Sequence, residues 1–188
     1  MKKILMFVVV LVAFSTLFAQ EGKLHMTPKV GIGFAFSSWN MIGLTAGFDT
    51  SYRVLTIKKK PGMGLYVGGE IDFTAWPPIN TSSLLGANFE IPILGTVRFQ
   101  IPVKKVMITP FVQTGVAVLF WTGGSAFGAP SGSASAGFAF NMGAEFLFKK
   151  KFVLRPHLNF IGSAYGSGWL PRSHPASFMV DFGYRIAK

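Results

Sequence analysis

The chain contains no cysteine among its 188 residues, so no disulfide can stabilise its fold. It is also poor in charge, because Asp, Glu, Lys and Arg together make up 13% of the residues and only 7 residues are acidic. Beyond the N-terminus, the longest clear apolar run covers residues 115–121, whereas a membrane-spanning helix needs roughly 20 apolar residues. These absences exclude a disulfide scaffold and, beyond the N-terminus, a membrane-spanning helix. The apolar residues are instead spread through the chain.

The chain is rich in glycine and phenylalanine, with 22 and 20 residues respectively. This mixture favours strands and turns over long helices. Apolar side chains alternate with small or polar ones, which is the period of a β-strand. Eight such segments are predicted, over residues 29–37, 41–57, 63–76, 84–101, 106–121, 135–148, 152–165 and 176–186.

The N-terminus has the features of an export signal. Lys2 and Lys3 precede an apolar stretch over residues 4–14, and small residues follow. An uncleaved membrane anchor is the alternative, but the stretch is short for one. Loss of the two lysines would lower the net charge from +11 to +9, and export argues against a nucleic-acid partner for this basic chain. The expected organisation is a signal peptide over residues 1–19, cleaved between Ala19 and Gln20, and one barrel domain over residues 20–188.

The connections between the predicted strands alternate in character. Residues 58–62, 102–105 and 149–151 form short basic turns, whereas the other connections are neutral and rich in turn-forming residues. Bacterial membrane barrels have short periplasmic turns and longer outer loops. An even number of strands then places both chain ends on the periplasmic side. The lysine turns are interpreted as solvated turns whose position would also favour anionic lipid headgroups.

The charged residues distinguish a soluble barrel from a membrane barrel. A soluble barrel has charges along its outer face, whereas a membrane barrel presents apolar side chains to lipid. Six of the acidic residues and four of the arginines fall on the strand face opposite the apolar side chains, and the lysines fall in turns or near chain ends. We therefore predict an all-β fold, an eight-stranded antiparallel up-and-down transmembrane β-barrel. Its lumen is predicted to hold a charge network of Asp49, Arg53, Glu70, Asp72, Glu90, Arg98, Glu145, Arg155, Asp181 and Arg185.

The predicted register gives this network a layered arrangement. Arginines lie nearer the basic turns and most carboxylates lie nearer mid-height. Glu145 is expected opposite Arg155 on the adjacent strand. Glu70 is expected near Glu90, and these two like charges would need an arginine from across the lumen. Tryptophans and tyrosines near strand ends, Trp76 among them, are expected to form an interfacial aromatic girdle.

Three segments resemble the small porin-like outer-membrane β-barrel domain family. They are FEIPILG at residues 89–95, TPFVQTG at residues 109–115 and FAFNMGAEF at residues 138–146. The resemblance implies an eight-stranded barrel of the bacterial outer membrane with no catalytic residues. The expected partners are outer-membrane lipids and the barrel-assembly machinery, and no cofactor is expected.

No metal-binding or phosphate-binding motif is present, so no metal site is predicted. His157 is interpreted as a hydrogen-bonding residue of the lumen. Ser173 and His174 in the last outer loop could serve a lipid-modifying enzyme, but only by analogy with other barrels. Three functions remain open: a closed structural barrel, which we favour, a narrow porin-like channel for ions or small solutes, and an outer-surface binding protein. Eight strands leave an interior that side chains can fill, which favours the first.

Overall fold

A computed structural model describes residues 24–36, 42–57, 62–76, 88–121, 134–163 and 176–187. No helix in these ranges is long and apolar enough to cross a membrane. The strands are β1 (Leu24–Ala35), β2 (Ile42–Thr56), β3 (Gly64–Trp76), β4 (Asn88–Val103), β5 (Val106–Trp121), β6 (Ala134–Phe148), β7 (Phe152–Ser163), β8 (Ser177–Tyr184) and the two-residue β9 (Ile186–Ala187).

The strands form one closed antiparallel sheet. Each strand from β1 to β7 pairs with the next along the chain, and β8 returns to pair with β1. The short β9 continues β8 beyond Arg185 and also pairs with β1. The predicted eight-stranded up-and-down barrel is therefore confirmed, and closure leaves no unpaired sheet edge among the described strands β1 to β8.

The two faces of the wall differ in the way that the alternation predicts. Outward side chains are apolar and accessible, as shown by Val30, Val116 and Phe138, which are 61%, 56% and 57% exposed. Inward side chains include charged residues such as Asp49 and Arg155, each 1% exposed. This is the inverse of a soluble barrel, and it is the arrangement that contact with lipid requires.

Most predicted strands match the observed ones closely, and β5 has the predicted bounds. The first strand is the exception. β1 begins at Leu24, five residues before the predicted start at Lys29, and its N-terminal part pairs with β2 from Leu24↔Tyr52 onward. Lys29 consequently lies within the strand, which corrects the expectation that lysines occupy only turns and chain ends.

The lumen has an apolar layer toward the rim with the longer connections. Leu94, Ala117, Leu119 and Ala139 form one buried cluster there, and Ala35, Trp76 and Met179 form another. Trp76 is 0% exposed, so its predicted place in an outward aromatic girdle is wrong. Inward glycines make room for its ring, because a Cβ on Gly43 would lie 2.6 Å from the indole.

Candidate functional site: the charged lumen

Lys29 occupies the centre of a buried cluster of carboxylates. Its Nζ lies 2.6 Å from Glu70, 2.9 Å from Asp72 and 3.0 Å from Asp181. These contacts join β1 to β3 and to β8, and the Lys29 side chain is 2% exposed. One ammonium group with three donors can serve three carboxylates at once. Lys29 therefore ties three strands together by charge-assisted hydrogen bonds.

Two glycines allow these carboxylates to reach Lys29. A Cβ on Gly31 would overlap the carboxylate of Asp181, and a Cβ on Gly47 would overlap that of Asp72. Both glycines face the lumen in the strands beside the carboxylates. The glycine-rich inward face thus supplies the space that the buried charges occupy.

Arg155 crosses the full width of the lumen. Its Nη1 lies 2.6 Å from Oε2 of Glu70 and 3.5 Å from Oδ2 of Asp49. Glu70 is on β3 and Arg155 on β7, which are diametrically opposite strands in an eight-stranded ring. The Arg155 guanidinium also lies over the Phe111 ring, 4.1 Å from its centroid. Side chains therefore meet across the barrel axis at this level.

A second arginine extends the network toward the rim with the short turns. Arg98 forms an ion pair with Asp49 and lies 3.4 Å from Glu145. Glu145 in turn pairs with Arg185, in the break between β8 and β9. Arg53, near the same rim, lies 5.8 Å from the centroid of the Tyr66 ring.

Neutral side chains complete the ring of contacts. Gln113 on β5 donates to Glu70 at 2.6 Å, and Asn141 on β6 donates to Gln113 at 3.3 Å. With these two, each of the strands β1 to β8 contributes at least one side chain to the network. Because the contacts link neighbouring and opposite strands, they bind the wall of the barrel into a single unit.

Eight of the ten predicted lumen charges are ion-paired in the network, together with Lys29. Arg53 lies over the Tyr66 ring, and Glu90 lies outside the network. Glu70 lies opposite Leu94 in the β3–β4 register and Glu90 lies opposite Thr74, so the expected contact between Glu70 and Glu90 is wrong. In the described part of the chain, no lysine or arginine lies within ion-pairing distance of Glu90, which is 2% exposed. Glu90 thus stands apart, in the apolar layer.

Glu145 and Arg155 lie opposite each other on β6 and β7, as expected. The paired residues on either side of them are Gly143↔His157 and Phe146↔Leu154. Their ion pairs nevertheless go elsewhere: Arg155 reaches Asp49 and Glu70, and Glu145 pairs with arginines of other strands. Lys29 is the main residue that the sequence analysis missed. The two-residue alternation could have revealed it, because Lys29 continues the inward series of Gly31, Gly33 and Ala35.

The described ranges contain no group of three or more His, Asp or Glu side chains placed to hold a metal ion. His157 faces the lumen, 4% exposed, with its Nδ1 3.8 Å from Asp181 and its ring 6.1 Å from that of Phe111. Ser173 and His174, the residues of the alternative enzyme hypothesis, lie outside the described residues, as do the predicted cleavage site at Ala19 and Gln20.

Comparison with known proteins identifies the architecture. Neither a family model nor a curated protein matches the sequence. Among solved structures, the outer membrane enzyme PagL superposes with a TM-score of 0.56 at 13% identity, over 87% of this chain and 99% of that one. Neisserial surface protein A gives 0.55 at 14% identity, over 88% and 97% of the two chains. The chain has the fold of the eight-stranded outer-membrane barrels.

The N-terminal β-barrel domain of Pseudomonas aeruginosa OprF shares this fold, with a TM-score of 0.53 at 11% identity over 89% of this chain and 100% of that one. At such identities the comparison concerns the fold and not the role. An enzyme, a surface protein and the barrel domain of a larger protein share the same scaffold. Function must therefore be argued from the side chains of this barrel.

Arg98 offers a direct test of the network's contribution to stability. Arg98→Ala is expected to lower the free energy of unfolding by about 3–5 kcal/mol, because the carboxylates of Asp49 and Glu145 would each lose a buried partner. Urea titration in detergent, followed by tryptophan fluorescence, measures the change. In the double variant Asp49→Asn/Arg98→Ala the loss should be smaller than the sum of the two single losses. An unchanged unfolding midpoint for Arg98→Ala would contradict this account.

Proposed function

We propose that this protein is an integral outer-membrane barrel of a bacterium with a structural or membrane-organising role, and that its lumen is closed to solutes. The contact between Glu70 and Arg155 is the observation that carries the proposal, because it joins opposite walls at 2.6 Å. An open channel of this strand number would need its side chains to line the wall, whereas here they meet at the axis.

Two further features support a closed lumen. Between the ion pairs and the rim with the longer connections, the apolar layer around Leu94, Leu119 and Trp76 separates the charges from that rim. Within the ion-paired set, the cations Lys29, Arg98, Arg155 and Arg185 face the anions Asp49, Glu70, Asp72, Glu145 and Asp181. Charges this closely balanced pair with one another, whereas a selective pore presents a ring of one sign to passing ions.

The proposal also holds that the barrel is not an enzyme and that its partners are membrane lipids and the barrel-assembly machinery. The outward band of apolar side chains supports membrane lipids as a partner. The described residues contain no exposed nucleophile joined to a base, and the buried cations Lys29, Arg98 and Arg155 are each ion-paired with carboxylates.

Single-channel recording in a planar bilayer tests the proposal. Refolded residues 20–188 are expected to insert without producing stable current steps, because the two lumen layers block the path. Insertion is established independently by protection of the strands from protease in vesicles. Reproducible conductance steps would contradict the closed lumen and assign the barrel to the channel class. Failure of the refolded chain to enter vesicles at all would contradict the membrane placement.

A further inference from the structure

The rim with the short turns is strongly basic. The turn between β4 and β5 consists of Lys104 and Lys105, and the turn between β6 and β7 consists of Lys149, Lys150 and Lys151. All five lysines are exposed. No acidic residue occurs in either turn, and Glu145, the acidic residue nearest to them in the sequence, is buried in the lumen and paired with arginines. These ammonium groups therefore have no carboxylate of their own turns to neutralise them.

The backbone of these turns does not favour lysine. Lys104, Lys149 and Lys150 have φ values of 52°, 50° and 61°, in the left-handed region where a Cβ crowds the following carbonyl. Glycine and asparagine adopt this conformation more readily, and tight hairpin turns usually contain them. Gly62, in the third short turn, has φ 88°. In the described ranges every non-glycine residue with positive φ is a lysine, so turn geometry does not account for the choice of residue.

Aromatic side chains beside the turns fix the depth of these lysines. Phe152 and Tyr184 are 55% and 41% exposed on the outer face, and their rings meet edge to face at 5.8 Å. The Nζ of Lys151 lies 5.8 Å from the centroid of the Tyr184 ring. Aromatic residues of membrane barrels sit at the level of the headgroups. The ammonium groups therefore lie where phosphate groups of a membrane leaflet would be.

We propose that the basic rim, defined as Lys104, Lys105 and Lys149–151, binds the headgroups of anionic phospholipids in the leaflet at the short-turn end of the barrel. The inference rests on the membrane placement proposed above. Ammonium groups bind phosphate as point charges, and clustered lysines beside a membrane attract anionic lipids. The rim would thereby hold the barrel at a fixed depth and collect a shell of acidic lipids around it.

Competition between spin-labelled lipids measures this binding. The barrel is reconstituted in phosphatidylcholine bilayers that contain a trace of spin-labelled phosphatidylglycerol or phosphatidylcholine, and the motionally restricted fraction of each label is compared by electron spin resonance. At low salt, each lysine that contacts a headgroup is expected to multiply the preference for phosphatidylglycerol over phosphatidylcholine roughly fivefold. It should decrease as salt is added, because the groups lie near the aqueous surface.

Two triple variants separate charge from backbone conformation. Lys104→Asn/Lys149→Asn/Lys150→Asn should lose most of the preference, yet resist urea in pure phosphatidylcholine at least as well as the natural chain, because asparagine tolerates positive φ. The matched control, arginine at the same three positions, keeps the charge and should keep the preference.

Equal restriction of the two labelled lipids by the natural chain would overturn the proposal, as would an asparagine variant that retains the full preference. Complete displacement of labelled phosphatidylglycerol by soluble glycerol phosphate would also overturn it, in favour of a site for free phosphate esters. A chain that fails to enter the bilayer contradicts the membrane placement itself. That failure is recognised separately, because no restricted lipid of either kind would then be seen.

Discussion

Lys29→Met is expected to lower the free energy of unfolding by about 3–5 kcal/mol, because Glu70, Asp72 and Asp181 would lose the ammonium group that they share. Methionine keeps much of the length of the side chain, so the loss reports on charge more than on volume. Reversible urea unfolding in detergent micelles measures it. The exposed turn residue Lys105 provides the matched control, since Lys105→Met should change stability by less than about 0.5 kcal/mol.

The prediction for Lys29 also distinguishes a buried ion cluster from a hydrated one. Exposed ion pairs contribute about 0–1 kcal/mol, so a loss in that range would indicate that water already compensates the carboxylates and would contradict the closed lumen. A loss several times larger agrees with the 2% exposure of the Lys29 side chain.

Opening the lumen is expected to require the removal of both layers. The first variant carries serine at Asp49, Glu70, Arg98 and Arg155, so that two cations and two anions leave together and the net charge is unchanged. The second carries alanine at Leu119 and Trp76, one large side chain from each of the two apolar clusters. Each variant alone should remain silent in a planar bilayer, because the other layer still blocks the path.

The combined variant should produce stable current steps where the natural chain gives none. Circular dichroism supplies the control, since the strand content of all three variants must match that of the natural chain before the currents are compared. Steps from the serine variant alone would show that the apolar layer does not seal the lumen. Silence from the inserted combined variant would show that other side chains close it.

Much of the barrel could be predicted from the sequence because a strand with one lipid face and one packed face must alternate. The bounds of β5 follow from this alone. β1 was harder, because its first residues include Pro28 and the buried Leu24 and His25, which break the clean alternation of apolar and small residues. Without these residues in the strand, Lys29 falls near the chain end, although its side chain points inward in line with Gly31.

The partners within the lumen could not be predicted by the same reasoning. Alternation says which side chains face inward, but ion pairs across the axis depend on the stagger of the strands and on the reach of long side chains. The alternation places Glu70 near Glu90, whereas the β3–β4 register separates them by four residues. Similarly, Arg155 neighbours Glu145 in register but extends to Glu70 on the opposite wall. The orientation of Trp76 could not be predicted either, because a position at a strand end does not indicate whether the side chain faces lipid or the lumen.

The contact between Lys29 and Asp181 has a consequence for the order of assembly. The two residues are 152 positions apart in the chain, Lys29 on β1 and Asp181 on β8. While the barrel is an open sheet, Lys29 has no access to Asp181, and β1 has an unpaired edge. The pairing of β8 with β1 therefore completes the ion pairs of Lys29. Such long-range contacts form slowly, so we expect closure to be the late, rate-limiting event of folding, after which the charged interior is sealed from solvent.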